Sequence, residues 1–367
     1  MDKVRIGVIG LGVMGKGHIG NIIKDDLTEL AAVCDTDGDV ARTLGTKHAC
    51  KWYTNPMKLL NDRPCDAVLI VTPHYQHTTI GTAALAKGYH VLVEKPIGVH
   101  KADCERLIAA HKNKKQVFAA VFNQRTRGNY RKLRDLIRNG ELGEVIRVSW
   151  VVTNWFRTDS YYSSGSWRAT WAGEGGGVLL NQCPHQLDLM QWILGMPKKV
   201  RGFCSMGRMH RIEVEDEVTA WLQWPNGSTG VFICSTGEAP GTNRLEIAAE
   251  NGRVVVEGSR IHYLRNEMPV SEAIKRLDGP PATWDITVPA YHDKMPEHAE
   301  ILHNFAEAVL KDVPLVAPAE EGIHSVELAN AMLYSHLTGD EVVMPLDGRA
   351  YEAKLKKLIA GSKKAKK

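Results

Sequence analysis

A chain of 367 residues is too long for one ordinary core, and its 44% hydrophobic content is enough to fill two. A net charge of +4 is too small to mark a nucleic-acid surface, and the dense basic cluster, Lys356-Lys357 and Lys363-Lys364-Ala365-Lys366-Lys367, reads as a solvated helix end. No stretch reaches membrane-span length, and Met1-Asp2-Lys3 runs straight into the first strand without room for a signal peptide, so a cytoplasmic protein with no membrane partner is expected.

In chain order, an apolar strand at residues 4–9 passes directly into Gly10-Leu11-Gly12-Val13-Met14-Gly15, followed by a helix at 14–24. In this G-x-G-x-x-G pattern Gly10 permits a tight turn, Gly12 removes a side chain that would hold a pyrophosphate off the backbone, and Gly15 lets helix and strand pack closely. The next strand, 30–34, ends at Asp35, twenty residues after Gly15, where a carboxylate accepts hydrogen bonds from an adenosine ribose and repels a 2′-phosphate. Asp37 and Asp39 add negative charge, and the nearest arginine, Arg42, lies seven positions on. NAD is therefore expected in preference to NADP.

Strands at 67–71, 90–93 and 117–121, with a helix at 102–112, continue the alternation of a doubly wound parallel sheet to residue 122. After a helix at 130–139 the period changes to two, with runs at 145–152, 200–207, 218–224, 230–235, 244–248 and 253–256. Pro225-Asn226-Gly227 and Asn251-Gly252 supply hairpin turns. Helices at 298–311 and 320–336, a strand at 342–344 and a helix at 349–359 close the chain. The expected fold class is α/β: an N-terminal Rossmann domain over 1–122, then a C-terminal α/β domain over 123–367 with a large, mostly antiparallel open sheet.

Seven cysteines without a C-x-x-C pair read as reduced core thiols, and Cys183, lying among candidate catalytic residues, has no activating motif. Fifteen histidines show no H-E-x-x-H or similar spacing, so no metal is expected. Thr72-Pro73 and Glu94-Lys95-Pro96 end strands at the carboxyl edge of the parallel sheet, where open α/β folds bind ligands. A lysine there can stabilise a developing alkoxide. Residues 155–177 are dense in aromatics and glycines and look like the wall of a site. In residues 175–188, apolar Leu180, Leu187, Met190 and Leu194 favour a helix, with Asn181 and His185 on one face and Pro184 as a kink. A histidine is a suitable proton acceptor for an alcohol that is about to lose hydride.

Strand-GxGxxG, Glu94-Lys95-Pro96, Asn123-Gln124-Arg125, Trp167-Arg168 and the glycine-rich segment ending in His185-x-x-Asp188 together resemble the Gfo/Idh/MocA oxidoreductases, which are sugar and cyclitol dehydrogenases. The resemblance runs in order over essentially the whole chain. It implies bound NAD(P), with Lys95 and His185 flanking the nicotinamide, and an open sheet that assembles dimers or tetramers. Many members carry aspartate four residues before the histidine; this chain has Asn181, which can orient a hydroxyl or Lys95 but cannot take a proton. His185 remains as the base. The Asn-Gln-x-Pro-His version with its long aromatic segment is similar to members that oxidise the 3-hydroxyl of pyranosides.

The candidate catalytic residues are Lys95, His185 and Asn181. Candidate cofactor contacts are Gly10, Gly12, Val13, Met14, Gly15, Asp35, Thr72, Pro73, His77, Glu94, Lys95, Asn123, Trp167 and Arg168. Candidate substrate contacts are Lys95, Asn154, Trp155, Arg157, Tyr161, Tyr162, Trp167, Asn181 and His185, because rings beside polar groups suit the alternating faces of a sugar. The leading expectation is reversible NAD-dependent oxidation of a ring hydroxyl, C3, of a pyranose or glycoside. One alternative is a glycosidase working by transient C3 oxidation, elimination and re-reduction. Another is a non-catalytic NAD-binding regulator, against which the presence of both Lys95 and His185 argues.

Overall fold

The computed structural model describes residues 2–362, so Lys363, Lys364, Lys366 and Lys367 of the basic tail lie outside the described residues. The chain begins β1 (Val4–Ile9), α1 (Val13–Lys24), β2 (Thr28–Cys34), α2 (Gly38–Lys47), β3 (Lys51–Tyr53), α3 (Pro56–Asp62), β4 (Ala67–Ile70), α4 (His74–Ala86), β5 (His90–Val93), α5 (Lys101–Ala110) and β6 (Phe118–Ala120). These six strands form one sheet in the order β3-β2-β1-β4-β5-β6, every pair parallel. Val68, Leu69, Ile70, Val91, Leu92 and Val93 are all buried, the continuous apolar pattern of strands covered on both faces. The order reverses between β1 and β4, which leaves a crevice at the strands' carboxyl ends.

The second unit runs α6 (Gly128–Arg138), β7 (Val145–Val152), α7 (Asp159–Ser163), α8 (Pro184–Leu194), β8 (Lys199–Met206), β9 (Glu215–Gln223), β10 (Thr229–Ser235), β11 (Asn243–Ala249), β12 (Gly252–Glu257), β13 (Arg260–Asn266), α9 (Val270–Arg276) and β14 (Thr283–Val288). Then come α10 (Glu297–Lys311), α11 (Ile323–Thr338), β15 (Val342–Val343) and α12 (Gly348–Gly361). The nine strands are ordered β14-β13-β12-β11-β7-β10-β9-β8-β15, antiparallel throughout except for the parallel β7–β10 pair. In β9, Asp216, Val218, Ala220 and Leu222 are buried at every second position, as a sheet with one covered face requires. The α/β class with one parallel and one mostly antiparallel sheet agrees with the expectation.

Three differences from the sequence reading have physical causes. Strands β3, β13 and β14 were not expected: β3 has only three residues, with Lys51 and Trp52 exposed, and Thr283, Trp284 and Asp285 of β14 are exposed, so the alternation there is faint. Residues 293–326, assigned by contiguity to the second domain, group with the first: the compact units are the chain up to Thr126 with Asp293–Val326, and Arg127–His292 with the chain from Glu327 on. Helix α10 buries Ile301, Leu302 and Phe305, and it is tied to α1 by the His303 Nδ1–Asp25 Oδ2 contact of 2.7 Å. Helical period reports that a face is buried, not against what. The third difference, at residues 175–188, concerns the site.

Candidate active site

In the first unit the glycine turn is built to exclude side chains at two of its three positions. Gly10 has φ +97°, and a Cβ there would lie 2.5 Å from the Val71 carbonyl oxygen; a Cβ on Gly15 would lie 2.0 Å from that of Gly10. Gly12, the N-cap of α1, faces open space within 4 Å, and Val13 and Met14 are exposed. Backbone amides at an open helix N-terminus fit an anionic pyrophosphate. Asp35 sits beside this turn. Its Oδ2 accepts the Leu11 N–H at 2.7 Å and its Oδ1 accepts the Asp37 N–H at 3.0 Å, so the carboxylate braces the turn from the end of β2. Arg42 is engaged with Asp39 at 2.8 Å. These residues fit NAD, and direct titration is expected to show tighter binding of NAD than of NADP. Replacing Asp35 by serine should narrow the preference and weaken both, because the brace on Leu11 goes too; equal affinities in the unaltered protein would refute the assignment.

At the carboxyl ends of β4 and β5, the His77 ring bridges two turns: its Nε2 lies 2.7 Å from the Thr72 carbonyl oxygen and its Nδ1 2.8 Å from that of Pro96. Burial pushes its pKa down. Both ring nitrogens thus face backbone carbonyls, to one of which the neutral ring donates, and His77 acts on Thr72, Pro73 and Lys95 through the shape of those turns. Glu94 is buried with its carboxylate turned inward: His18 Nε2–H donates to Oε1 at 2.7 Å, and the Lys95 N–H donates to Oε2 at 3.1 Å. Burial alone would raise the Glu94 pKa, but the His18 hydrogen bond and then the charges of His18, Lys95 and His298 outweigh it and hold the carboxyl at about 2. Lys95 itself is half-buried. Asn123 donates to Glu297 at 2.6 Å, which leaves its buried Oδ1 without a partner among the described residues.

In the second unit the expected helix over 175–188 is not continuous. Residues 177–183 form tight turns, with the Asn181 N–H bonded to Gly177 and the Gln182 and Cys183 N–H groups to Val178. Pro184 has no N–H to continue the ladder, so α8 starts there with Cys183 as N-cap. Pro184 therefore opens a helix instead of kinking one. His185 is the second residue of α8, half-buried, whereas Asn181 precedes the helix, so the two do not share one helical face. Cys183 is fully buried.

The aromatic segment reaches Asn181 through Tyr161. Tyr161 donates to Asn181 Oδ1 at 3.4 Å and accepts from Arg168 Nη1 at 2.9 Å. The Arg168 guanidinium lies 4.6 Å from the Tyr161 ring centre and 4.5 Å from that of Trp167, and Arg157 lies 4.7 Å from Tyr161 and 5.4 Å from Trp155. Trp155 Nε1 and Arg157 Nε are buried without partners among the described residues. Tyr162 is committed elsewhere: its hydroxyl pairs with Thr236 at 2.9 Å, its ring packs on His210 at 4.9 Å, and burial pushes its pKa up to about 12. Asn154 is exposed where the segment begins.

Three polar residues escaped the sequence reading. His18 occupies the buried stripe of α1 with Gly15, Ile19 and Ile22, and a histidine on an apolar stripe was the available signal. Glu174 and Glu215 are buried carboxylates. Glu215 Oε1 accepts the Gly177 and Leu179 N–H groups at 2.8 and 3.1 Å. Burial drives its pKa up to about 7 against the pull of those amides, and Glu174 adds to the rise. Two adjacent acids opening an apolar strand, Glu215-Asp216, were the visible hint. Asp25, Asp26 and His303 also lie close enough together to hold an ion, an arrangement common at surfaces without one.

A six-stranded parallel sheet in this order, with a glycine turn at β1 and an acidic end on β2, defines a nucleotide-binding Rossmann unit, here in one chain with an open-sheet unit: the class is a nicotinamide-dependent oxidoreductase. The chain belongs to the GFO/IDH/MocA oxidoreductase family; residues 4–122 match its NAD-binding Rossmann fold and residues 130–255 its C-terminal domain. It is similar to myo-inositol 2-dehydrogenase of Thermotoga maritima, 27% identical over 70% of this chain and 76% of that one. It is also similar to levoglucosan dehydrogenase of Pseudarthrobacter phenanthrenivorans, 24% identical over 76% and 78%. The WlbA dehydrogenase of Bordetella pertussis, solved with NADH and UDP-GlcNAcA, superposes with a TM-score of 0.79 at 26% identity, covering 94% of this chain and all of that one.

Proposed function

We propose that this oxidoreductase reversibly oxidises a ring hydroxyl, that at C3, of a pyranose or glycoside to the ketone. The observation that carries the reading is the cluster at Asn181 and Tyr161, where the rings of Trp155, Tyr161 and Trp167 interleave with the guanidinium groups of Arg157 and Arg168, a mix of apolar faces and polar donors that suits a hydroxylated ring. The relatives named for myo-inositol and levoglucosan support a cyclic substrate with secondary hydroxyls. In this reading His185 accepts the hydroxyl proton, Lys95 hydrogen-bonds the same oxygen as negative charge develops, and Asn181 orients it. NAD⁺, when bound by Gly10, Gly12, Gly15 and Asp35, supplies the two-electron acceptor. The open second sheet is the proposed surface for a homodimer or homotetramer.

The test is incubation with NAD⁺ and a panel of glycosides and free sugars, with products identified by mass. A ketone formed with stoichiometric NADH is expected. Release of the aglycone without accumulating NADH would instead support elimination, and no turnover with any member would leave the regulator reading. Trp167→Ala should raise KM for the sugar at least about tenfold with little change for NAD, since lost stacking area acts on the substrate. Equal damage to both affinities would place Trp167 on the cofactor.

A further inference from the structure

We propose that Glu174 is a positioning residue for Asn181: its buried carboxylate sets which end of the amide is presented beside Tyr161, and it is the reason asparagine stands at 181. The inference rests on the proposed role of Asn181 in orienting the substrate hydroxyl. Glu174 is 2% exposed; its Oε2 accepts the Ala169 N–H, and its Oε1 is in a short hydrogen bond with Asn181 Nδ2. A carboxylate offers only acceptors, so the amide must turn its NH₂ to Glu174. The carbonyl oxygen Oδ1 is then the atom beside the Tyr161 hydroxyl and Gln182 Nε2, at 3.4 and 3.2 Å. Residue 181 therefore presents an acceptor on that side, to which a substrate hydroxyl donates by taking the place of the long Tyr161 contact.

Aspartate at 181 would put a second carboxylate in contact with buried Glu174, which already feels the buried Glu215. One of them would have to take a proton at neutral pH. The chain instead has an amide whose donor end meets the carboxylate. The converse substitution is equally specific. In Glu174→Gln the side-chain oxygen is claimed by the Ala169 N–H, so the new NH₂ confronts Asn181, which must then turn its oxygen inward and present a donor where it had presented an acceptor. In the double variant Glu174→Gln with Asn181→Asp, one carboxylate oxygen accepts from the new amide and the other is again an acceptor on the Tyr161 side. The two residues should rescue each other.

The experiment measures glycoside turnover with NAD⁺, and thermal unfolding at about pH 5 and about pH 8, for the unaltered protein, both single variants and the double. Each single variant should lose roughly 10²-fold in kcat, a typical consequence of a misoriented positioning group. The double should exceed the product of the singles by roughly 10- to 100-fold. Asn181→Asp should unfold at lower temperature at about pH 8. In the folded state the shared site raises a carboxyl pKa above its unfolded value, so the penalty is present at high pH and lifts as pH falls through the raised value. Adding Glu174→Gln should remove the deficit at about pH 8. Tyr161 and Arg168 also face the pair, and Glu215, held at about 7 in part by Glu174, titrates in the same window, so the Glu174→Gln single variant is the reference for Glu215's share of the pH dependence. Independent, multiplicative effects on kcat would overturn the proposal. So would an Asn181→Asp protein that melts with the unaltered one at both pH values. If the unaltered protein oxidises no glycoside, the functional reading falls, and the melting comparison still decides whether Glu174 and residue 181 pair.

Discussion

Replacing His185 by alanine is expected to lower turnover by roughly 10²- to 10⁴-fold, the usual contribution of a positioned general base, while folding and NAD affinity stay intact. The local structure makes this a clean substitution. His185 is the second residue of α8, half-buried; Pro184 still opens the helix, Cys183 still precedes it, and alanine is a good helix former there. The glycine turn and Asp35 belong to the first unit and are untouched. Steady-state kinetics with NAD⁺ titration separates the outcomes: a fall in kcat with unchanged affinity for NAD is expected, and near-native turnover would move the base to Lys95 or Tyr161. Lys95→Ala should be comparably severe, with some loss of cofactor affinity.

His18→Ala is expected to destabilise the first unit by about 3 kcal/mol at neutral pH. The Glu94 carboxyl is held at about 2 against an ordinary 4.5 by His18 first and then by the charges of Lys95 and His298, and removing His18 leaves a buried carboxylate without its principal donor, a loss on the order of 3 kcal/mol for a broken buried pair. Because the folded-state value is depressed, this contribution is fully present above the unfolded pKa and is lost as pH falls from about 5 to about 2. Denaturant unfolding at about pH 7 and about pH 3 should therefore show a large difference between the two proteins that shrinks in acid. A difference of the same size at both pH values would mean that lost packing of His18, and not the Glu94 charge, is what stabilises.

The parts of this molecule legible in the sequence are those whose cause is local. Val4–Ile9 leading into Gly10-x-Gly12-x-x-Gly15 needs only its own spacing to be read as strand, turn and helix, and the position of Asp35 follows by counting. The hairpin turns at Asn226-Gly227 and Asn251-Gly252 are equally local. Residues 175–188 show the opposite case. Leu180, Leu187 and Met190 do lie at helical spacing and are buried, but Glu215, from another strand, takes the Gly177 and Leu179 amides, and helix α8 waits for Pro184. Glu174 and Glu215 went unmarked because an acid read alone is a solvated residue. Only the fold takes the water away.

The return of α10 to the first unit has a consequence for how the protein must be made. Phe305 and Ile301 of that helix are buried within the unit, Arg125 pairs with Glu321 at 2.5 Å, and Ala119 of β6 bridges to Pro318. A ribosome that has released only the first 126 residues has thus delivered a sheet lacking a covering helix and the ion partner of a buried arginine. The cofactor-binding unit is finished only after eight of the nine strands of the second sheet, β7 to β14, have emerged, so its completion waits on synthesis of the segment inserted within it.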